Sequence, residues 1–257
     1  MPVKLSTKYA LLFSITVIGM VLVFVNGPIP QSDNYHAFAD TRKLYEVPNF
    51  WNVISNIPFV LIGSVGIFFI LYSKKKKRNV SLRCSFVFFV GIFFTGIGSA
   101  YYHLYPSTQT LVWDRLPMTI AFMAFFSIVI SEYICETSGN RLLFPLIMTG
   151  LLSILYWQMT ESKGHGDLRL YVIVQFLPIL LIPLILLLFK ASGKSNTYFW
   201  MILGVYVLAK FFETFDHEVF HAGLNISGHT IKHLFAALAP LIFLKIMLKK
   251  DLSIHNR

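Results

Sequence analysis

The stretch His217–Leu234, HEVFHAGLNISGHTIKHL, contains four of the eight histidines of the chain. These histidines form two pairs, His217/His221 and His229/His233, each with i,i+4 spacing. That spacing places both imidazoles of a pair on one face of a helix, where neutral imidazoles commonly bind zinc. Because long apolar runs flank the stretch, its ionisable side chains are expected at or inside a membrane boundary. Such residues are costly to keep there and indicate a functional site.

The composition of the whole chain is that of a membrane protein. It has 257 residues, of which 56% are hydrophobic, and its mean hydropathy is +0.65. Repeated apolar runs of about 18 or more residues predict transmembrane helices. We therefore expect an all-α, polytopic membrane helix bundle with the lipid bilayer as its surroundings. The net charge of +10 does not indicate nucleic acid as a partner, because the basic residues cluster at helix ends. The sequence indicates no protein partner.

The apolar runs predict eight helices, at about residues 9–25, 50–72, 82–103, 116–135, from 141 to near 160, 170–189, 198–215 and 229–248, with a short loop at residues 137–140. The first run follows two lysines, as a signal peptide would, but no small-x-small cleavage site comes after it. We interpret residues 1–30 as an N-terminal transmembrane helix or uncleaved signal anchor. Residues 31–257 then form the main membrane domain.

The basic residues also orient the predicted helices, because cytoplasmic loops carry an excess of lysine and arginine. With eight helices, one side of the membrane receives the N-terminus, the run Lys74–Arg78, Arg141, Lys190, Lys194, Lys249 and Lys250. That side is expected to be cytoplasmic, with both cysteines, Cys84 and Cys135, near it. The histidine stretch then lies near the non-cytoplasmic face of a multi-pass protein, in a bacterial inner membrane or a eukaryotic endomembrane.

Three further polar residues are predicted at the same face. Ser99 and His103 share one face of the third helix, and Asp114 follows at the beginning of the fourth. His103 is a candidate third metal ligand, Ser99 a candidate donor to an oxyanion, and Asp114 a candidate general base for a metal-bound water. Structural alternatives exist for each: a bond from serine to its own helix, an interfacial histidine, or an aspartate paired with Arg115.

The two histidine pairs compete for the role of metal ligands. His217-Glu218-x-x-His221 is the HExxH signature of zinc metallopeptidases, in which the glutamate is the general base. However, Gly223 limits the helix that could carry this motif. The pair His229/His233 begins a long apolar helix, which is a more rigid platform. Spacing alone does not decide between the two pairs.

Three motifs occur in order: PNFWNVISNIPF at residues 48–59, SAYYH at residues 99–103 with Asp114 eleven residues on, and GHTIKHL at residues 228–234. Together they resemble the alkaline ceramidase family. This family belongs to a superfamily of membrane hydrolases that includes adiponectin-receptor-like and GPI-remodelling proteins. The similarity spans about Asn34 to Leu248, and the combination is specific although each motif alone is weak. The resemblance implies a seven-helix ceramidase-like core, with the first predicted helix as an extra N-terminal element.

The resemblance also implies the identity of the site residues. It implies zinc bound by His103, His229 and His233, with Ser99 and Asp114 as catalytic residues. Asn52, Ser55 and Asn56 match a structural polar network, whereas His217, Glu218 and His221 become outer or loop residues. The implied activity is zinc-dependent hydrolysis of the linear amide of a ceramide-type lipid to a fatty acid and a sphingoid base. The alternatives are an intramembrane zinc peptidase that uses the HExxH motif, a related lipid ester hydrolase and a non-catalytic receptor-like protein.

Calcium is a second possible cofactor that the resemblance raises. Animal members of the family carry an acidic calcium-binding segment before the first core helix. Here that segment reads SDNYHAFADTRKLYEVPN, at residues 32–49, and Asn49 stands where a glutamate is expected. The acidic residues Asp33, Asp40 and Glu46 could bind calcium. Ion pairs with Arg42 or Lys43 are the simpler interpretation.

Overall fold

A computed structural model describes residues 4–72, 81–189 and 196–255 of the chain. These residues form ten α-helices and no β-strand: α1 (Leu5–Val25), α2 (Phe50–Ile54), α3 (Ile57–Tyr72), α4 (Ser81–Leu104), α5 (Leu111–Tyr133), α6 (Glu136–Glu161), α7 (Arg169–Leu188), α8 (Asn196–Thr214), α9 (Asp216–Val219) and α10 (Gly228–His255). A 3₁₀-helix spans Asp33–His36, and a π-helix spans Phe220–Leu224. The predicted basic anchors Lys74–Arg78, Lys190 and Lys194 lie outside the described residues.

Seven spans among the described residues are long and apolar enough to cross a membrane, with α2 and α3 forming one of them. An eighth is reached if α8 and the segment Asp216–Gly223, which is bent by 80° from it, count as one span. A helix suits this environment because it satisfies its own backbone hydrogen bonds where no water is present. The predicted all-α polytopic membrane fold is therefore confirmed, and the chain is an integral membrane protein.

Three details of the predicted helices were wrong, one internal break and two boundaries. The second predicted helix is broken into α2 and α3 at Ser55 and Asn56, whose side chains bond back to the Asn52 carbonyl and so compete with the helical pattern. The fourth predicted helix begins earlier than expected, at Leu111, which puts Asp114 inside its first turn. The loop predicted at residues 137–140 belongs to α6. Hydropathy did not reveal the break or the two earlier helix starts, because it reports apolar residues and these helices include polar ones.

The chain divides into two compact units. One contains α1, α6 and α7, together with residues 81–88 of α4 and 119–133 of α5. Within it, α1 packs against α7, and the Asp167 carboxylate accepts hydrogen bonds from the backbone of Ile29 and the side chain of Arg169. The other unit contains α2, α3, α8, α9 and α10, together with residues 89–104 and 111–118. All residues that the sequence predicts for the site belong to this second unit.

Glycines allow the helices of the second unit to approach each other closely. The Trp113 carbonyl occupies the place where Gly98 would carry a Cβ atom, so that α4 and α5 meet there. The Phe212 carbonyl takes the corresponding place at Gly228, where α10 begins beside α8. These contacts bring the end of α4 close to the beginning of α5 and the beginning of α10 close to the end of α8.

Candidate metal centre

Three buried histidines form a candidate metal-binding group. His103 lies in the last turn of α4, and His229 and His233 lie one turn apart at the beginning of α10. Their candidate ligand atoms all lie within 4.8 Å of one another. The Nε2 atoms of His103 and His229 are 3.2 Å apart. Ligand nitrogens at the usual zinc distance in a tetrahedral site lie about 3.3 Å from each other. The three side chains thus fit a small tetrahedral cation.

Ser55 sets the tautomer of His233. The Ser55 hydroxyl donates to the Asn52 carbonyl at 3.1 Å and lies 2.7 Å from Nδ1 of His233. A hydroxyl has a single proton, so Ser55 accepts from Nδ1–H of the imidazole. The lone pair of His233 is then on Nε2. A metal-binding histidine usually donates its other ring nitrogen in this way, which fixes the orientation of the ring.

Asn49 and Asp216 bind the backbone of the other two candidate ligands, His103 and His229. Asn49 Nδ2 donates to the carbonyl of His103 at 2.8 Å, from a left-handed backbone conformation with φ 47°. The backbone N–H of His229 donates to Asp216 Oδ1 at 2.7 Å. An acidic side chain is favourable at the N-terminus of a helix, where N–H groups lack partners within the helix. Nδ1 of His103 is buried and has no hydrogen-bond partner among the described residues.

The importance of Asp216 was not anticipated from the sequence. Its carboxylate joins two segments, because Oδ1 accepts from His229 and Oδ2 accepts from the backbone N–H of Ala39 at 3.0 Å. The residue directly precedes the HExxH motif, which drew attention to the histidines instead. An acidic residue shortly before a predicted helix start is a weak signal of helix capping. Here the capped N–H lies beyond an intervening turn, so local spacing would not have revealed it.

Asn52 is the centre of a buried hydrogen-bond network. Its amide oxygen accepts from Thr230 at 2.9 Å and from Ser227 at 3.4 Å, and its amide nitrogen donates to the Asp40 carbonyl at 3.2 Å. Its backbone carbonyl accepts from the side chains of Ser55 and Asn56. The three residues that the resemblance assigned to a polar network thus take part in one network. It joins α2, α10 and the segment before α2.

Ser99 and Asp114 face each other between α4 and α5. Both side chains are buried, and the Ser99 hydroxyl lies close enough to the Asp114 carboxylate to interact with it. The close approach of the helices at Gly98 brings the two residues together. Lys232, one position before the ligand His233, makes an ion pair of 2.8 Å with Glu213 and also interacts electrostatically with Asp114.

Asp40 is engaged by an arginine. Its two carboxylate oxygens accept hydrogen bonds from Nε of Arg42 at 2.8 Å and from NH2 of Arg42 at 2.6 Å. Burial favours a higher pKa for Asp40, but the hydrogen bonds and charge of Arg42 outweigh it and lower the pKa of the carboxyl. Glu46 similarly pairs with Lys43. Both acidic residues thus form the ion pairs considered above, while a calcium site in this segment remains a prediction.

The HExxH residues lie apart from this group. His217, Glu218 and His221 are exposed, and the rings of the two histidines are 6.4 Å apart. Nε2 of His217 is already within 3.0 Å of the Ala37 carbonyl, to which it donates. After His221, Gly223 adopts a φ of 86° and ends the helical path. Within residues 4–72, 81–189 and 196–255, the candidate metal group consists of His103, His229 and His233.

Fold and site together define a polytopic membrane protein whose helices enclose a three-histidine candidate metal centre. A family model described as Ceramidase matches residues 43–250, which is most of the chain. The chain belongs to the Ceramidase family, and the resemblance inferred from the three motifs is confirmed. A search of the curated proteins found no match.

Proposed function

We propose that the chain is a zinc-dependent membrane hydrolase that cleaves the amide bond of ceramide-type lipids to a fatty acid and a sphingoid base. Family membership supports hydrolysis of a lipid amide. The observation that carries the zinc dependence is the buried group of His103, His229 and His233. Three neutral imidazoles are a frequent ligand set of catalytic zinc sites, which keep one further position open.

In this proposal, the Nε2 atoms of His103, His229 and His233 would hold the metal ion. Zinc held there would supply Lewis acidity towards the amide carbonyl and would activate water for attack near neutral pH. Ser55 keeps the proton of His233 on Nδ1 and thereby leaves Nε2 available. Asp216 and Asn49 fix the backbone on either side of the group, so the imidazoles need little reorganisation.

Asp114 and Ser99 have coupled roles in the proposed reaction. The Asp114 carboxylate takes a proton from the attacking water and later gives it to the leaving amine. While the carboxylate is charged, it would accept a hydrogen bond from the nearby Ser99 hydroxyl. Once Asp114 is protonated, the Ser99 hydroxyl is free to donate to the developing oxyanion. The Ser99 hydroxyl would thus donate to Asp114 in the ground state and to the oxyanion in the transition state.

The proposed location of the site follows from the charge pattern of the chain. Basic residues at the ends of α1 and α10 favour a cytoplasmic N-terminus, with the histidine group near the non-cytoplasmic face. A lipid substrate then reaches the site from the surrounding bilayer. A bacterial inner membrane and a eukaryotic endomembrane both suit this arrangement.

The test combines zinc content with activity in the detergent-purified protein. We expect the double variant His229→Ala/His233→Ala to lose zinc and the hydrolysis of a fluorescent ceramide. The matched variant His217→Ala/His221→Ala should keep both, and Asp114→Ala should keep zinc but lose turnover. Loss of zinc only from the His217/His221 variant would instead favour the peptidase. Retained zinc without hydrolysis of amides or esters in the wild type would favour a receptor-like protein.

A further inference from the structure

The segment Asp33–Asp40 lies directly over the three-histidine group. Within it, the ring of Phe38 is 4.8 Å from the ring of His103 and 4.7 Å from that of His229, measured between centroids. Both pairs are edge-to-face, an arrangement that aromatic rings favour. The Phe38 side chain is 7% exposed. One aromatic ring therefore covers two of the three candidate ligands.

This cover is thin. Asp33, Asn34 and Ala37 of the same segment are exposed, so its opposite side is a surface of the protein. Residues 37–40 have no regular secondary structure, and Ala37, directly before Phe38, is exposed. The rings of Phe38 and Tyr102, whose centroids are 5.9 Å apart, both pack against the imidazole of His103, and the ring of Phe38 also packs against that of His229.

Side chains from the rest of the unit hold the segment in its closed position on both sides of Phe38. His217 donates to the carbonyl of Ala37, and Asp216 accepts from the N–H of Ala39. The ring of His36 is a third attachment, with Nδ1 2.8 Å from the Tyr102 hydroxyl and Nε2 3.2 Å from that of Thr108. His217, the first residue of the HExxH motif, and Asp216, directly before it, thus both bind the segment.

The attachments are individual hydrogen bonds rather than a continuous backbone ladder. Segments held in this way open locally at a lower free energy than the helices to which they are attached. Asp216 also accepts a hydrogen bond from the N–H of His229. The attachment of the segment is therefore connected to α10, the helix that carries two candidate ligands. Burial of the Phe38 ring against the imidazoles adds to the stability of the closed form.

We propose that the segment Asp33–Asp40 is a lid over the three-histidine site and that Phe38 is its seal against water-soluble molecules. The inference rests on the proposed zinc-binding function of the site. A sealed aqueous side favours substrates dissolved in the bilayer over soluble amides. It also means that a metal ion in the site is exchanged with the aqueous phase only when the lid opens.

The test measures zinc extraction by EDTA from the zinc-loaded, full-length protein in detergent. We expect Phe38→Ala to release zinc about tenfold faster than the wild type, because an alanine buries far less apolar surface over the site. Phe38→Leu, which keeps an apolar side chain, should lie between the two. Tyr45→Ala is the matched control, since Tyr45 is an exposed aromatic residue that follows the lid, and it should release zinc at the wild-type rate.

A second variant tests the lid without changing its seal. His36→Leu removes both ring hydrogen bonds of His36 and should also accelerate zinc extraction. If Phe38→Ala does not fold, the extraction rates of His36→Leu and Phe38→Leu test the lid instead. Wild-type rates in all lid variants that retain stoichiometric zinc would overturn the lid while leaving the zinc site intact. A wild-type protein that binds no zinc would instead overturn the proposed function, and the lid inference with it.

Discussion

Ser55 illustrates how one hydroxyl outside the ligand set can control a metal ligand. It lies in the break between α2 and α3 and accepts a hydrogen bond from Nδ1–H of His233. We predict that Ser55→Ala lowers the affinity for zinc about 10- to 100-fold, as is usual when the partner of a ligating histidine is lost. Competition with a chromophoric zinc chelator measures the change.

The matched control for Ser55 is Ser64→Ala. Ser64 lies on α3, and its exposed side chain bonds the Val60 carbonyl of its own helix at 2.8 Å. Its replacement should leave zinc affinity unchanged. Equal affinities in the two variants would mean that the Ser55 contact does not orient His233 for metal binding.

The ion pair of Asp40 and Arg42 predicts a pH dependence of stability. The folded pKa of Asp40 is lowered from 3.8, so its contribution is fully present above that pH and is lost as pH falls through the folded pKa. We expect the melting temperature of Asp40→Asn to be below that of the wild type at pH 7. The difference should begin to shrink below about pH 4, where the carboxyl of the unfolded chain binds a proton, and should shrink further as pH falls through the lowered pKa of the folded carboxyl. Thermal unfolding in detergent across this pH range measures it.

Glu46→Gln provides the comparison for Asp40. The pair of Glu46 and Lys43 is exposed, and such pairs contribute little to stability. Its melting temperature should therefore follow that of the wild type at every pH.

The same samples test whether the segment binds calcium. Because Arg42 binds both oxygens of Asp40, added calcium should not raise the wild-type melting temperature. A calcium-dependent increase that Asp40→Asn abolishes would show that the carboxylate binds the ion instead.

Sequence reasoning found the residues whose chemistry is distinctive at the residue scale. Spacing indicated both histidine pairs, and the position of His103 on the third predicted helix made it a candidate third ligand. The resemblance then favoured His229 and His233 over His217 and His221. Phe38 and Asp216 were missed. An aromatic residue in a loop resembles the many phenylalanines on the apolar helices, and the contacts of Asp216 are made only when distant segments meet. Contacts that depend on tertiary packing leave no pattern in a single sequence.

At the scale of helices, the placement of Ser99 against Asp114 depends on the glycine before Ser99. We predict that Gly98→Ala separates α4 from α5, because the Trp113 carbonyl already occupies the position of the new methyl group. Overpacking of this kind costs on the order of 1–3 kcal/mol. The melting temperature should fall, and the hydrolytic activity of the remaining folded protein should fall with it.

Gly204→Ala is the control for this helix contact. Gly204 lies within α8 and has no neighbouring atom within 4 Å of the position of a Cβ. Alanine is favoured over glycine in a helix by up to about 1 kcal/mol, so this variant should be as stable as the wild type or slightly more stable. A harmless Gly98→Ala would show that α4 and α5 do not need this close approach.

The helices themselves were predictable because their signal is long and continuous. Each apolar run has a length close to that needed to cross a bilayer, and all eight runs correspond to helices among the described residues. The breaks were not predictable from hydropathy. Ser55 and Asn56 interrupt an apolar run through bonds to the backbone, and α8 ends in a bend of 80° rather than in a straight span. Both interruptions lie where side chains of the histidine site are held.

At the scale of the whole chain, the charge pattern predicts which end of each helix faces the cytoplasm. Asp114 and Cys135 test this because they lie at opposite ends of α5. The 23 residues of this helix extend for about 34 Å, which is enough to cross a bilayer. If the histidine site is near the non-cytoplasmic face, Cys135 must face the cytoplasm.

The native cysteines allow this orientation to be measured directly. Cys135 is exposed, and hydrogen bonds from Ser138 lower the pKa of its thiol, which favours the reactive thiolate. Cys84, the other cysteine of the chain, is buried and should not react.

A membrane-impermeant maleimide should therefore label the wild type in inside-out vesicles but not in right-side-out vesicles. Tyr45→Cys in a Cys135→Ser background should show the reverse pattern, because Tyr45 is exposed in the segment after the lid. Labelling of Cys135 from the outside would place the histidine site at the cytoplasmic face and contradict the orientation derived from the charges.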